Sequence, residues 1–146
     1  MIFEVNSYVG VNSIKFGMSR EGVRNTLLNY EYRIFRRNSY SESPIDGYDD
    51  IGLNISYDSS DKVEALEFSE PACVVLNGID VFSITASEVY ALIKKLDQDV
   101  MIDADGLISF KLGVGVYEPF YEEEYMHPIE SFIVFKQGYY DSIDFG

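Results

Sequence analysis

The run ACVVLNGIDVF, residues 72–82, constrains the fold more than any other stretch of the chain. Two segments rich in β-branched residues flank Asn77-Gly78, a pair that accepts positive φ at both centres of a two-residue turn. Such a turn leaves the flanking segments only one arrangement, as antiparallel neighbours. Asp105-Gly106 is a second signal of the same kind and predicts a hairpin joining DVMID to LISFKLGVGVY. In IGLNISY, residues 51–57, Ile51, Leu53, Ile55 and Tyr57 alternate with small or polar neighbours, as in a half-buried strand. The polar turn Asp58-Ser59-Ser60-Asp61 then leads to a partner strand, KVEALEF, and IESFIVF near the end reads as another strand.

Two segments carry helical spacing instead. In SREGVRNTLLNY, residues 19–30, Ser19 is the expected N-cap, and Val23, Leu27 and Tyr30 share a face. In TASEVYALIKKL, residues 85–96, Thr85 and Glu88 have capping-box spacing, and Val89, Leu92, Ile93 and Leu96 make an apolar stripe. Residues 38–50, NSYSESPIDGYDD, read as a polar loop. Each half of the chain thus places a helix before several strands, which predicts a tandem repeat with halves 10–82 and 83–138 inside a single domain, 1–146. Runs of hairpin-linked strands with few helices predict an α+β fold in which two helices pack on an antiparallel sheet.

Charge narrows the function. Residues 1–37 hold six Lys/Arg against three acids, whereas residues 38–146 hold five against twenty-two, for a net charge of −14. Nucleic acids and anionic lipids demand cations, so the balance argues against both as partners and favours a basic protein. The apolar content of 47% is that of a globular chain rather than a disordered one. The N-terminus, MIFEVNSYVG, lacks the basic start and apolar run of a secretory signal, and one cysteine, Cys73, suits a reducing compartment. A cytoplasmic location is therefore expected.

Catalytic options are few. The only histidine, His127, and Cys73 form the one conceivable Cys/His pair, but Cys73 sits in the apolar run ACVVL, where a thiol is expected to be buried and inert. Gly113-Val114-Gly115 lacks the third glycine and the helix of a dinucleotide loop and reads as a kink or bulge in a strand. Glu123 and His127 would share a helical face, yet the three or four ligands of a zinc site and the spacing of a calcium loop are missing. No cofactor and no metal are expected.

The densest cluster of functional side chains is VYEPFYEEEYMHP, residues 116–128. Tyr117, Tyr121 and Tyr125 offer rigid contact area at small entropy cost, and Glu118, Glu122, Glu123 and Glu124 offer complementarity to lysine and arginine. These residues, with Asp103 and Asp105 of the second hairpin turn in reserve, make a partner surface the expected site.

One stretch carries a family likeness. GVNSIKFGMSREGV, residues 10–23, gives a strand, then Phe16-Gly17-Met18-Ser19, then a helix bearing Val23. It resembles the opening of small cytoplasmic immunity proteins of bacterial polymorphic toxins, contact-dependent growth inhibition systems among them, and with a later strand ending Tyr57-Asp58 and its partner Val63–Phe68 the pattern covers about the first half of this chain. Related openings occur in lipoproteins and inhibitors built from tandem helix-plus-sheet units. The resemblance implies no catalytic residue; it implies binding and neutralising a cognate toxin, often a basic nuclease. Two other classes remain open from the residues alone: a small enzyme using carboxylates or Cys73 and His127, and a structural or regulatory subunit with a sheet edge for pairing.

Overall fold

The computed structural model describes residues 1–37, 43–119 and 126–141. The chain begins with three short strands, β1 (Ile2–Asn6), β2 (Gly10–Val11) and β3 (Ile14–Lys15), and then forms helix α1 (Arg20–Thr26). Four strands follow it: β4 (Arg33–Phe35), β5 (Ile45–Tyr48), β6 (Leu53–Tyr57) and β7 (Val63–Phe68). The hairpin β8 (Cys73–Leu76) and β9 (Ile79–Asp80) leads to helix α2 (Ala86–Leu96). Four more strands close the chain: β10 (Met101–Asp103), β11 (Gly106–Ser109), β12 (Val114–Tyr117) and β13 (Ser131–Phe135). The fold is α+β with mainly antiparallel sheets.

The main sheet has eight strands in the order β10-β11-β12-β13-β7-β6-β5-β4, all paired antiparallel. This order reads as two meanders, β4–β7 after α1 and β10–β13 after α2, joined last strand to last strand. The smaller sheet, β3-β2-β1-β8-β9, contains the Asn77-Gly78 hairpin, with φ of 51° and 82° at the two turn residues. It also contains a parallel pairing of β1 with β8, which no local sequence signal predicts. Between β3 and α1 the chain turns at Phe16-Gly17, where Gly17 has φ 87°, and meets the start of β7: Gly17 and Met18 exchange backbone hydrogen bonds with Val63 at 3.0 and 2.9 Å. Ser19 then caps α1 by accepting from the Gly22 amide.

Alternation along the strands gives the main sheet one buried face. One row across it runs Leu53, Phe68, Phe132, Val116 and Leu107, and the next runs Ile55, Leu66, Val134 and Val114, all buried. Phe3 of the smaller sheet packs against Phe68 with ring centroids 5.0 Å apart. Val23 and Leu27 bring α1 into the same core; Ala86, Val89, Tyr90 and Ile93 bring in α2, whose capping box at Thr85 and Glu88 is formed.

Four expectations change. Residues 45–48, read as loop, are a fully buried strand, because Asp46 has two arginine partners inside the fold: Arg20 at 3.1 Å and Arg24 at 2.8 Å. LISFKLGVGVY is two strands, not one, because Gly113 at φ 68° turns the chain between β11 and β12. Helix α1 ends at Thr26, so Leu27 is its C-cap and Tyr30 lies beyond it. In α2 the buried side is Ala86, Val89, Tyr90 and Ile93, while Leu92 and Leu96 are half-buried.

Two stability outcomes follow from this packing. Ile93→Ala is expected to cost about 2–5 kcal/mol, as a large-to-small change in a closed core, and Leu92→Ala to cost less. Urea denaturation of both variants checks the ranking, and a larger loss at Leu92 would mean that α2 is rotated from the packing described. Asp46→Ala leaves two guanidinium groups without their shared carboxylate and is expected to cost about 3 kcal/mol. A loss below about 1 kcal/mol would put that cluster in the class of weak surface pairs.

Candidate partner-binding face

The helices and the smaller sheet leave the opposite face of the main sheet uncovered by helix. One row across this outer face runs Glu67, Ile133, Gly115, Ile108 and Met101 by strand register. A groove of about 650 Å³ lies over its central part, floored by Ile133, Gly115 and Ile108. A Cβ added at Gly115 would stand 2.9 Å from Ile133 Cγ2, so the Ile133 side chain closes over the buried Gly115 backbone and makes the floor aliphatic. Tyr117, 49% exposed, forms one wall.

Tyr140 lines the groove too. It reaches it from the turn after β13, with its ring edge-on to Phe135 at 4.9 Å and to Tyr139 at 4.8 Å. Burial, with Tyr139 and the charge of Glu67 adding to it, pushes the Tyr140 phenol up to about 12. The hydroxyl therefore stays protonated at neutral pH. Asp105 and Glu130 are exposed at the rim, and Glu67 is half-buried, paired with Arg37 at 3.0 Å. An apolar floor, tyrosine walls and an acidic rim together suit a basic side chain or segment of a protein better than a small apolar ligand.

The residues expected as a partner surface fall in three places. Tyr117 and Asp105 come together in this groove. Asp103 is exposed, but one carboxylate oxygen accepts the Asp105 and Gly106 amides at 2.8 and 3.1 Å and so holds the β10–β11 turn. Glu118 departs from the expectation of a presented charge, being only 3% exposed. Its two oxygens meet His127 Nε2 at 3.0 Å and accept the Glu130 amide at 2.9 Å. The Glu118 amide in turn donates to Asp105 O at 2.8 Å. Tyr121, Glu122, Glu123, Glu124 and Tyr125 lie outside the described residues.

Glu118 thus anchors the segment that delivers Glu130 to the rim. The same segment is tied to α2, whose Ala86 amide donates to His127 O at 2.7 Å. Among the described residues no group of three or more His, Cys, Asp or Glu gathers as a metal cage would require. Cys73 is half-buried, and its thiol is raised above its ordinary value by burial and by the carboxylate of Asp80.

Sequence reasoning missed Glu67, Glu130, Ile108, Ile133 and Tyr140. The alternation in KVEALEF and IESFIVF does place Glu67 and Ile133 opposite the buried residues of their strands. Their being neighbours depends on the pairing of β7 with β13, which joins residues 66 apart in sequence at Glu67↔Ile133. No family model, curated protein or solved structure matches the chain. No helix among the described residues is long and apolar enough to cross a membrane.

Removing the anchor should disturb the rim from behind. Glu118→Ala leaves the Glu130 amide without its carboxylate acceptor and is expected to destabilise the fold by about 1–3 kcal/mol. Thermal and urea melts measure it, and an unchanged midpoint would show that the segment carrying His127 and Glu130 is held by other contacts.

Proposed function

We propose that this chain is a cytoplasmic immunity or inhibitor protein that binds and neutralises a cognate basic protein toxin, with the outer-face groove as its docking surface. The observation carrying this reading is the groove itself, an apolar floor walled by Tyr117 and Tyr140 and rimmed by Asp105 and Glu130. Tyrosine anchors on a desolvated floor supply the slow dissociation of tight inhibitors, and rim carboxylates supply fast, salt-sensitive association.

The charge distribution supports it as well. Basic residues of 1–37 are paired within the fold, Arg20 and Arg24 to Asp46, Arg33 to Asp49, and Arg37 to Glu67. Their positive charge is thereby internally balanced, and the surplus of acids governs the long-range field of the molecule. A nuclease active site is cationic because it must hold phosphates, so an acidic face competes for the same electrostatic position. Enzyme chemistry is not part of this reading.

The first test is functional. Co-production with the toxin domain encoded beside it should protect cells, and the purified pair should co-elute; a chain that neither protects nor binds ends the proposal. The second test maps the face. Asp105→Lys with Glu130→Lys is expected to slow association about tenfold at low salt and to flatten its salt dependence. Tyr117→Ala is expected to speed dissociation about tenfold, the effect of losing a modest anchor. Wild-type kinetics in both variants would move the docking surface elsewhere, and the same reversal at Glu122 and Glu123 would then test the glutamate run.

A further inference from the structure

We infer that the outer-face groove holds a subsite for an arginine side chain of the partner, and that Arg37 occupies it in the free protein as an internal stand-in. This rests on reading the groove as the partner face. Arg37 lies two residues past β4, yet its guanidinium meets Glu67 on β7, three strands further into the sheet. It therefore reaches across the outer face, and both residues line the groove with Ile133, Gly115 and Ile108. The structure itself thus shows a guanidinium seated at this end of the groove.

Two features make the seat exchangeable. The Arg37 side chain is 46% exposed and Glu67 30% exposed, so the pair sits at the water boundary and Arg37 can return to solvent at small cost. Glu67, by contrast, keeps a partner throughout, since an incoming guanidinium replaces the departing one and no half-buried carboxylate is left alone. The surroundings favour arginine over lysine. A guanidinium is planar, weakly hydrated and stacks on aromatic rings, and Tyr117 and Tyr140 wall the groove. An ammonium ion holds its hydration shell more tightly and has no flat face to offer.

Arg37 then acts as a competitor tethered at high effective concentration, and it weakens every external ligand by the fraction of time it occupies Glu67. Because the pair is half exposed, its removal is expected to tighten guanidinium binding about three- to sixfold rather than by orders of magnitude.

The full chain alone is enough for the test, with butylguanidinium and butylammonium as probes at matched ionic strength. Amide shifts of Ile108, Gly115 and Ile133 report binding. Butylguanidinium is expected to move these amides in the wild-type protein, to bind about three- to sixfold tighter in Arg37→Ala, and to lose its effect in the near-isosteric Glu67→Gln. Unchanged affinity in Arg37→Ala, equal binding of the ammonium probe, or shifts confined to residues outside the groove would each overturn the inference. No toxin enters the experiment. A positive titration beside a chain that binds no basic protein would keep the subsite and remove the immunity reading, and a negative one beside a protective chain would do the reverse.

Discussion

Two buried polar residues at opposite ends of one strand row hold the helices in place, and the rest of the structure depends on that hold. Between β5 and β11 the row runs Asp46, Ile55, Leu66, Val134, Val114 and Ser109, with only the exposed Ile34 of the edge strand β4 paired beyond Asp46. Its four central members are apolar, and its two ends are polar and fully buried. Asp46 takes Arg20 and Arg24 from α1, and Ser109 donates its hydroxyl to Asp97, the C-cap of α2, at 2.7 Å. In the palindromic strand order these ends are equivalent positions. The chemistry is inverted between them: the sheet supplies the carboxylate at one end and the helix supplies it at the other. Isolated buried charges are costly, so each end fixes one helix position and penalises any other. Helices held on that face leave the opposite face free.

The same clasp shapes the electrostatics. Arg20 lies over the Tyr57 ring at 4.0 Å and Arg24 over Tyr32 at 4.5 Å, so the guanidiniums are covered by aromatic faces as well as neutralised by Asp46. A chain whose first quarter reads as basic therefore shows less of that charge to solvent than the sequence suggests. Folding separates two roles that composition alone merges: arginines of the N-terminal quarter fasten the sheet, and acids such as Asp105 and Glu130 stay exposed to solvent.

Much of this architecture was legible because it is written in local chemistry. The Asn77-Gly78 turn, the Thr85 capping box, the alternation of Leu53, Ile55 and Tyr57, and the helix-then-strands order of each half all depend on residues within a few positions of one another. What escaped depends on distant partners. Asp46 looked like a loop residue because an unpaired carboxylate belongs in water, and its arginines lie more than twenty positions away. Tyr48, followed by Asp49 and Asp50, and Tyr90, outside the expected stripe of α2, are core residues. Glu118 read as one of four equivalent glutamates, and only the return of the chain at His127 and Glu130 turns it inward. Of the expected surface, Tyr117 and Asp105 meet in the groove, but the floor between them needed the β7–β13 pairing to be seen.

A near-symmetric scaffold does not give a symmetric surface. The outer row reads Arg33, Gly47, Asn54 and Glu67 over the first meander, and Ile133, Gly115, Ile108 and Met101 over the second. Backbone pairing is blind to these identities, because the register is set where side chains are buried, on the inner face and at Phe135 under Tyr139 and Tyr140. The two halves of the outer row differ in polarity: charged and amide groups on one side, a glycine between isoleucines on the other. Glu67 stands at the seam, the last polar residue before the apolar floor, and Arg37 reaches over the polar half to meet it. A ligand that brings both a cation and apolar contact finds its two requirements side by side only at that seam. Basic protein segments with arginine beside aliphatic or aromatic residues have that composition, whereas nucleic acid and small apolar molecules do not.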